Sequence, residues 1–133
     1  MIENLKLKIM KKILLVEDDQ FLIDIYTTKL KDSGFSVEVA KEGESALRKL
    51  NEEKFDLLLL DIVLPQIDGW EILEKIKNEK PKTKNLENLK IVILSNLGQK
   101  EEVERGLKLG ATKYLIKAHY TPSEVVEEIK EIL

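Results

Sequence analysis

Short apolar blocks recur along the chain with polar and helical stretches between them. Ile13-Leu14-Leu15-Val16, Leu57 to Leu60 and Ile91 to Leu94 are continuous runs. Their length suits strands, and their unbroken apolarity predicts burial on both faces. Phe21, Leu22, Ile25, Tyr26 and Leu30 recur at helical spacing and outline a first helix that Gly34 stops. Phe35, Val37 and Val39 alternate with Ser36 and Glu38, the pattern of a half-exposed second strand. Ala46, Leu47 and Leu50 outline a second helix, and Trp70, Ile72, Leu73 and Ile76 a third. A lysine- and asparagine-rich stretch follows over 78–88. Val103 and Leu107 mark a fourth helix ended by Gly110, and Tyr114-Leu115-Ile116 reads as the fifth strand. The last helix announces its start most clearly. Thr121-Pro122-Ser123-Glu124 offers a hydroxyl cap, proline at the first helical position and a glutamate placed to close a capping box. Val125, Val126, Ile129 and Leu133 are its expected buried stripe.

Alternating strands and helices predict an α/β domain, a parallel sheet with helices on both faces. Two arrangements fit the length: a flavodoxin-like doubly wound sheet and a truncated dinucleotide-binding fold. In either, ligands belong at the carboxyl ends of the strands, where strand order reverses. Composition narrows the class. The 133 residues are 43% hydrophobic and 35% charged, enough for one folded core, and 22 basic against 25 acidic residues give a net charge of −3 with no basic block of the nucleic-acid-binding kind. The absence of cysteine excludes disulfides and thiolate metal sites. The run Leu57 to Leu60 is too short to cross a bilayer, and the first residues hold no apolar stretch of signal-peptide length. The simplest expectation is a cytoplasmic protein with no membrane contact. Residues 1–9 precede a second methionine, Met10, and are expected to be a loosely held extension, with an edge strand as the alternative; residues 10–133 form the domain.

The chemistry gathers at the strand ends. The first strand runs into Glu17-Asp18-Asp19, the third into Asp61, the fourth into Ser95, and Lys117 follows the fifth. Packing gives no reason for charges there. The segments ILLVEDD at 13–19, DLLLLDIVLPQIDGW at 56–70, ILSN at 93–96 and YLIK at 114–117 resemble the receiver domain of two-component response regulators, over essentially all of 10–133. The resemblance implies a flavodoxin-like (βα)5 doubly wound sheet of strand order 2-1-3-4-5.

The resemblance also implies roles. Asp61 is the expected phosphoryl acceptor, forming an acyl phosphate. Mg²⁺, with Mn²⁺ as a substitute, is expected on Asp18, Asp61 and the Val63 backbone carbonyl, with Glu17 acting through water. Lys117 is expected on the opposite side of the phosphoryl group. Clustered like charges are expected to raise a carboxylate pKa when no metal is bound. Ser95 and Tyr114 are the expected switch: Ser95 bonds the phosphoryl group, and Tyr114 turns inward into the space this opens, altering the surface of the fourth helix, fifth strand and fifth helix. Two positions depart from the family pattern. Ala118 stands where proline is usual, so a trans Lys117–Ala118 bond is expected. Asn96 stands where a very small residue is usual, and is expected to narrow the phosphoryl pocket or add a hydrogen bond. Val63 and Leu97 carry no group that orients water, which implies slow loss of the phosphoryl group.

Other acidic and polar residues have plainer readings. Asp19 is expected to cap the first helix, Asp68-Gly69 to shape the turn into the third, Asp56 to be a solvated strand start, His119 a loop residue and Glu101-Glu102-Glu104 a solvated face. The expected partners are a histidine kinase or histidine phosphotransfer protein as donor and a downstream protein as target. The expected state is a monomer or a phosphorylation-dependent dimer. The chain stops after the last helix, so no DNA-binding domain is expected, as in stand-alone chemotaxis-type receivers. The domain is expected to catalyse its own phosphorylation and dephosphorylation at Asp61 and not to be a turnover enzyme. Three alternatives compete. A Mg²⁺-dependent aspartyl-phosphate phosphatase wants a second aspartate where Val63 stands. A flavin or nucleotide carrier wants a glycine-rich loop where Glu17-Asp18-Asp19 stands. An unphosphorylated pseudo-receiver is disfavoured by Asp18, Asp61 and Lys117 together.

Overall fold

The apolar runs become strands whose side chains alternate between two helix layers. In β1 (Lys12–Val16), Leu14 and Val16 face one way while Ile13 and Leu15 face the other. In β3 (Leu57–Leu60), Leu58 and Leu60 join the first pair, and Leu57 and Leu59 the second. Continuous apolarity was therefore the right signal for double-sided burial. The computed structural model describes residues 10–133. The expected extension at 1–9, with its edge-strand alternative, lies outside those residues.

The remaining elements are α1 (Gln20–Asp32), β2 (Ser36–Ala40), α2 (Gly43–Glu52), α3 (Gly69–Glu79), β4 (Lys90–Ser95), α4 (Lys100–Lys108), β5 (Lys113–Ile116) and α5 (Pro122–Ile132), with short 3-10 turns at Lys84–Leu86 and Lys117–His119. The five strands are all parallel and lie in the order β2-β1-β3-β4-β5. This is the doubly wound arrangement, and order reverses between β1 and β3, so the β1, β3 and β4 tips share one crevice. Helices α1 and α5 cover one face with Tyr26, Leu30, Val125, Val126 and Ile129. Helices α2 and α3 cover the other with Ala46, Leu50, Ile72, Leu73 and Ile76.

Local signals held at the caps. Asp19 accepts from the Leu22 N–H at 3.2 Å and Asp68 from the Glu71 N–H at 3.1 Å, so both are N-caps. Thr121 accepts from the Glu124 N–H at 3.1 Å, and the Glu124 carboxylate accepts from the Thr121 N–H at 2.9 Å. Gly34 and Gly110 take positive φ after α1 and α4. Among the described residues there is no cis peptide, so Lys117–Ala118 is trans as expected.

Three packing expectations need correction. Phe21 is 72% exposed, and Ile23 is buried instead, because the helix starts at Gln20 and its inner face falls two residues later. On α4 neither Val103 nor Leu107 is buried; the only buried residue is Gly106, and Leu107 is 46% exposed. Asp56 is no mere solvated strand start, since its Oδ2 accepts from the Lys12 N–H at 2.8 Å and ties β1 to the start of β3.

Candidate functional site

The polar residues of the site sit at or just past the ends of buried strands. Val16 is fully buried, and the next residue, Glu17, is still only 2% exposed. Asp61, beyond Leu60, is 7% exposed, and Ser95, the last residue of β4, is fully buried. The Asp61 N–H donates to the Val16 carbonyl at 3.0 Å, which continues the β1–β3 ladder to its last rung and brings the two acids side by side. Carboxylate oxygens of Glu17, Asp18 and Asp61 lie within 4.8 Å of one another. Asp18 alone of the three is exposed, and its carboxylate makes no hydrogen bond among the described residues.

Lys117 answers this charge directly. Its Nζ lies 2.8 Å from Glu17 Oε1 and 2.9 Å from Asp61 Oδ2, with only 12% of its side chain exposed. It therefore holds the two buried acids together. The other oxygen of each acid meets backbone. Glu17 Oε2 accepts from the Asp18 and Asp19 N–H groups, both at 3.2 Å, and Asp61 Oδ1 accepts from the Val63 N–H at 3.2 Å. Burial pushes the Glu17 carboxyl above its ordinary range; the Lys117 hydrogen bond opposes this and the Asp61 charge adds to it. The expectation of a raised carboxylate is met, but desolvation rather than like-charge repulsion is the first cause. Burial pulls the Lys117 ammonium down, and its bonds to Glu17 and Asp61 more than reverse that, leaving it raised.

A divalent ion suits this donor set. Three carboxylates face one ammonium, so the cluster stays net negative, and its ligating atoms are all oxygen, the preference of a hard cation such as Mg²⁺. Asp18 is the carboxylate with both oxygens uncommitted. Glu17 has both oxygens occupied by protein donors, which fits a part played through water better than direct ligation.

Ser95 and Tyr114 both engage the backbone of Leu97. The Leu97 N–H donates to Ser95 Oγ at 3.3 Å, and the Tyr114 hydroxyl donates to the Leu97 carbonyl at 2.5 Å. The Tyr114 ring is half-buried against the α2–α3 side of the core and beneath Gly106. The Tyr114 side chain thus faces inward, toward the core and the loop after β4. Burial raises the Tyr114 phenol above its ordinary range, with the Glu102 charge adding to it. Asn96 is exposed and makes no side-chain hydrogen bond among the described residues. Ala118 and His119 are exposed in the turn after Lys117.

A family model described as the response regulator receiver domain matches residues 13–130. The chain belongs to the response regulator receiver domain family. Among curated relatives, the alkaline phosphatase synthesis transcriptional regulatory protein PhoP of Bacillus subtilis (strain 168) is 37% identical over 125 residues, 92% of this chain and 48% of its own length. The phosphate regulon transcriptional regulatory protein PhoB of Rhizobium meliloti (strain 1021) is 35% identical over 122 residues, 92% of this chain and 52% of its own. Among solved structures, a CheY-like receiver domain protein from Methanospirillum hungatei JF-1 has a TM-score of 0.81 at 32% identity, covering 92% of this chain and 93% of that one.

This receiver spans about half the length of the curated relatives it matches. That overturns the expectation of a stand-alone, chemotaxis-type receiver with no DNA-binding domain and a separate protein as target. Both of these relatives are named as transcriptional regulatory proteins, and where this chain stops says nothing about what accompanies the domain. Among the described residues no helix is long and apolar enough to cross a membrane.

Proposed function

We propose that this receiver is a cytoplasmic phospho-acceptor in which Asp61 takes a phosphoryl group from a phosphohistidine donor and so switches the α4–β5–α5 surface. The observation that carries the reading is the convergence of Glu17, Asp18 and Asp61 within 4.8 Å, with Lys117 bonded to two of them. An Asp61 carboxylate oxygen attacks phosphorus, the N–P bond of the donor breaks, and the electron pair stays on the imidazole. Asp18, Asp61 and the Val63 carbonyl would hold Mg²⁺, and Glu17 would act on it through water. The ion supplies positive charge that lets a phosphoryl group approach three carboxylates. Lys117 keeps Asp61 oriented in the resting site and offers its ammonium to the incoming oxygens.

Ser95 and Tyr114 are the switch residues. A phosphoryl oxygen competes for Ser95, which now accepts from Leu97; the loop moves with it, and the Tyr114–Leu97 bond reports the outcome. The transition is a shift between two packings of the loop and Tyr114, driven by contacts that only the phosphoryl group makes. Val63, 58% exposed, and Leu97 leave the acyl phosphate without a side chain to orient attacking water, so it is expected to be long-lived. Replacement by Val63→Asn with Leu97→Glu should speed its loss.

Incubation with acetyl phosphate and Mg²⁺, followed by intact mass, tests the reading. One phosphoryl adduct should form, vanish when EDTA is present and be absent in Asp61→Asn. Adduct formation in Asp61→Asn, or many turnovers on free phosphate esters, would overturn it.

A further inference from the structure

Helix α4 is anchored by a residue with no side chain. Gly106 is buried because Ile93 and the Tyr114 ring press against it: a Cβ there would lie 2.6 Å from Ile93 Cδ1 and 2.7 Å from Tyr114 Cδ2. On its outer side the next residue back, Arg105, reaches to α3. Its guanidinium lies 4.2 Å from the centroid of the Trp70 ring, and its Nη2 is 4.0 Å from Glu74 Oε1, one turn further along α3. Trp70 in turn follows Gly69, which sits hard against the strand end carrying the acceptor. A Cβ on Gly69 would lie 2.6 Å from Ile62 Cα and 2.7 Å from the Asp61 carbonyl oxygen, and the Gly69 N–H donates to the Ile62 carbonyl at 2.8 Å.

Two routes therefore run from the site to α4. One passes through Ser95, Leu97 and Tyr114 to the underside of Gly106. The other passes through the Asp61–Ile62 backbone, Gly69 and Trp70 to Arg105. We propose that the Trp70–Arg105 stack is a second latch on α4, formed in the same state as inward Tyr114, so that α3 shares in transmitting the signal. The proposal rests on the reading of Asp61 as phosphoryl acceptor. An exposed cation–π contact is worth only about a two- to fivefold bias in an equilibrium. Such a bias matters on α4 because no buried side chain of that helix outweighs it. A stack of this kind on α5, with three buried apolar residues beneath it, would shift nothing measurable.

The chain's single tryptophan makes the latch observable. Trp70 emission is followed during titration with beryllofluoride and Mg²⁺, an acyl-phosphate mimic whose binding is a true equilibrium, and acetyl phosphate adducts are measured by mass in parallel samples. Emission should change in step with occupancy in the unaltered protein. Arg105→Ala should still form the adduct, lose most of the emission change and bind beryllofluoride about two- to fivefold more weakly, because coupling is reciprocal. Arg105→Lys, which keeps the charge without the planar fork, should retain part of both. A merely structural contact would leave beryllofluoride affinity unmoved. An adduct without any change in Trp70 emission, or with an equal change in Arg105→Ala, overturns the latch alone. Failure of the unaltered protein to take either group overturns the acceptor reading and the latch with it.

Discussion

Helices α4 and α5 flank the same edge strand, β5, from opposite faces, yet they are held by different physics. Helix α5 buries Val125, Val126 and Ile129, starts on a reciprocal Thr121–Glu124 cap, and is tied to β5 through the Lys113–Glu128 ion pair. Helix α4 buries Gly106 alone and meets its neighbours through Arg105 on one side and the Tyr114 ring on the other. Each buried aliphatic side chain contributes about 1.5–3 kcal/mol, so α5 has a deep well and α4 a shallow one. A switch needs an element whose alternatives differ by a few kcal/mol or less. Only the thinly anchored helix meets that condition, and it is the one placed over Ser95's loop and Tyr114.

The contrast is sharpest in the cores of the two helices. Ile129→Ala should cost about 2–5 kcal/mol in urea denaturation. A cost no greater than that of an exposed α4 substitution would break the comparison. The α5 cap comes next: Thr121→Ala should cost about 1 kcal/mol, with faster amide exchange confined to the first turn of α5. A smaller effect tests whether the difference is local. Glu38 on β2, the far edge of the sheet, is held at about 2 by the hydrogen bond from Lys12, with Lys49 assisting. A depressed carboxyl stabilises the fold above its ordinary pKa and loses that contribution as pH falls toward 2. Glu38→Gln should therefore cost less than about 1 kcal/mol at pH 7, since the pair is partly solvated, and the cost should fade as pH falls through about 2. The α4-to-α5 exchange ratio should stay unchanged; a change would mean that the two edges are coupled. Smallest of all, Leu107→Ala should move stability by no more than about 0.5 kcal/mol, because that side chain is already half in water.

Much of this was legible in the sequence because the relevant signals are local. Continuous apolar runs marked β1, β3 and β4, and hydroxyl-proline-glutamate order marked the start of α5. Strand order came from resemblance to a family, as did the pairing of Asp18 with Asp61 across 43 positions of sequence. What stayed hidden depends on contacts that no periodicity encodes. Glycine has no hydropathy signal, so Gly106 was invisible as the buried anchor of α4 while Leu107 beside it drew attention. Periodicity also placed the inner face of α1 at Phe21, whereas the rotation of the helix after the Asp19 cap buries Ile23. Lys117 looked like a cation waiting for a phosphoryl group; only the distances reveal that Glu17 and Asp61 already occupy it. The Trp70–Arg105 stack joins residues on two helices through side chains alone. The expectation about output failed for a different reason: it drew a conclusion from where the chain stops.

The backbone of Leu97 has a consequence of its own. Both of its polar groups are claimed by side chains, the N–H by Ser95 and the carbonyl by Tyr114. Its amide hydrogen is shielded only while the serine faces the loop, so deuterium uptake at this one position should act as a clock for the loop. Slow uptake marks the serine at rest, and quickened uptake marks the interval in which it has turned to another partner.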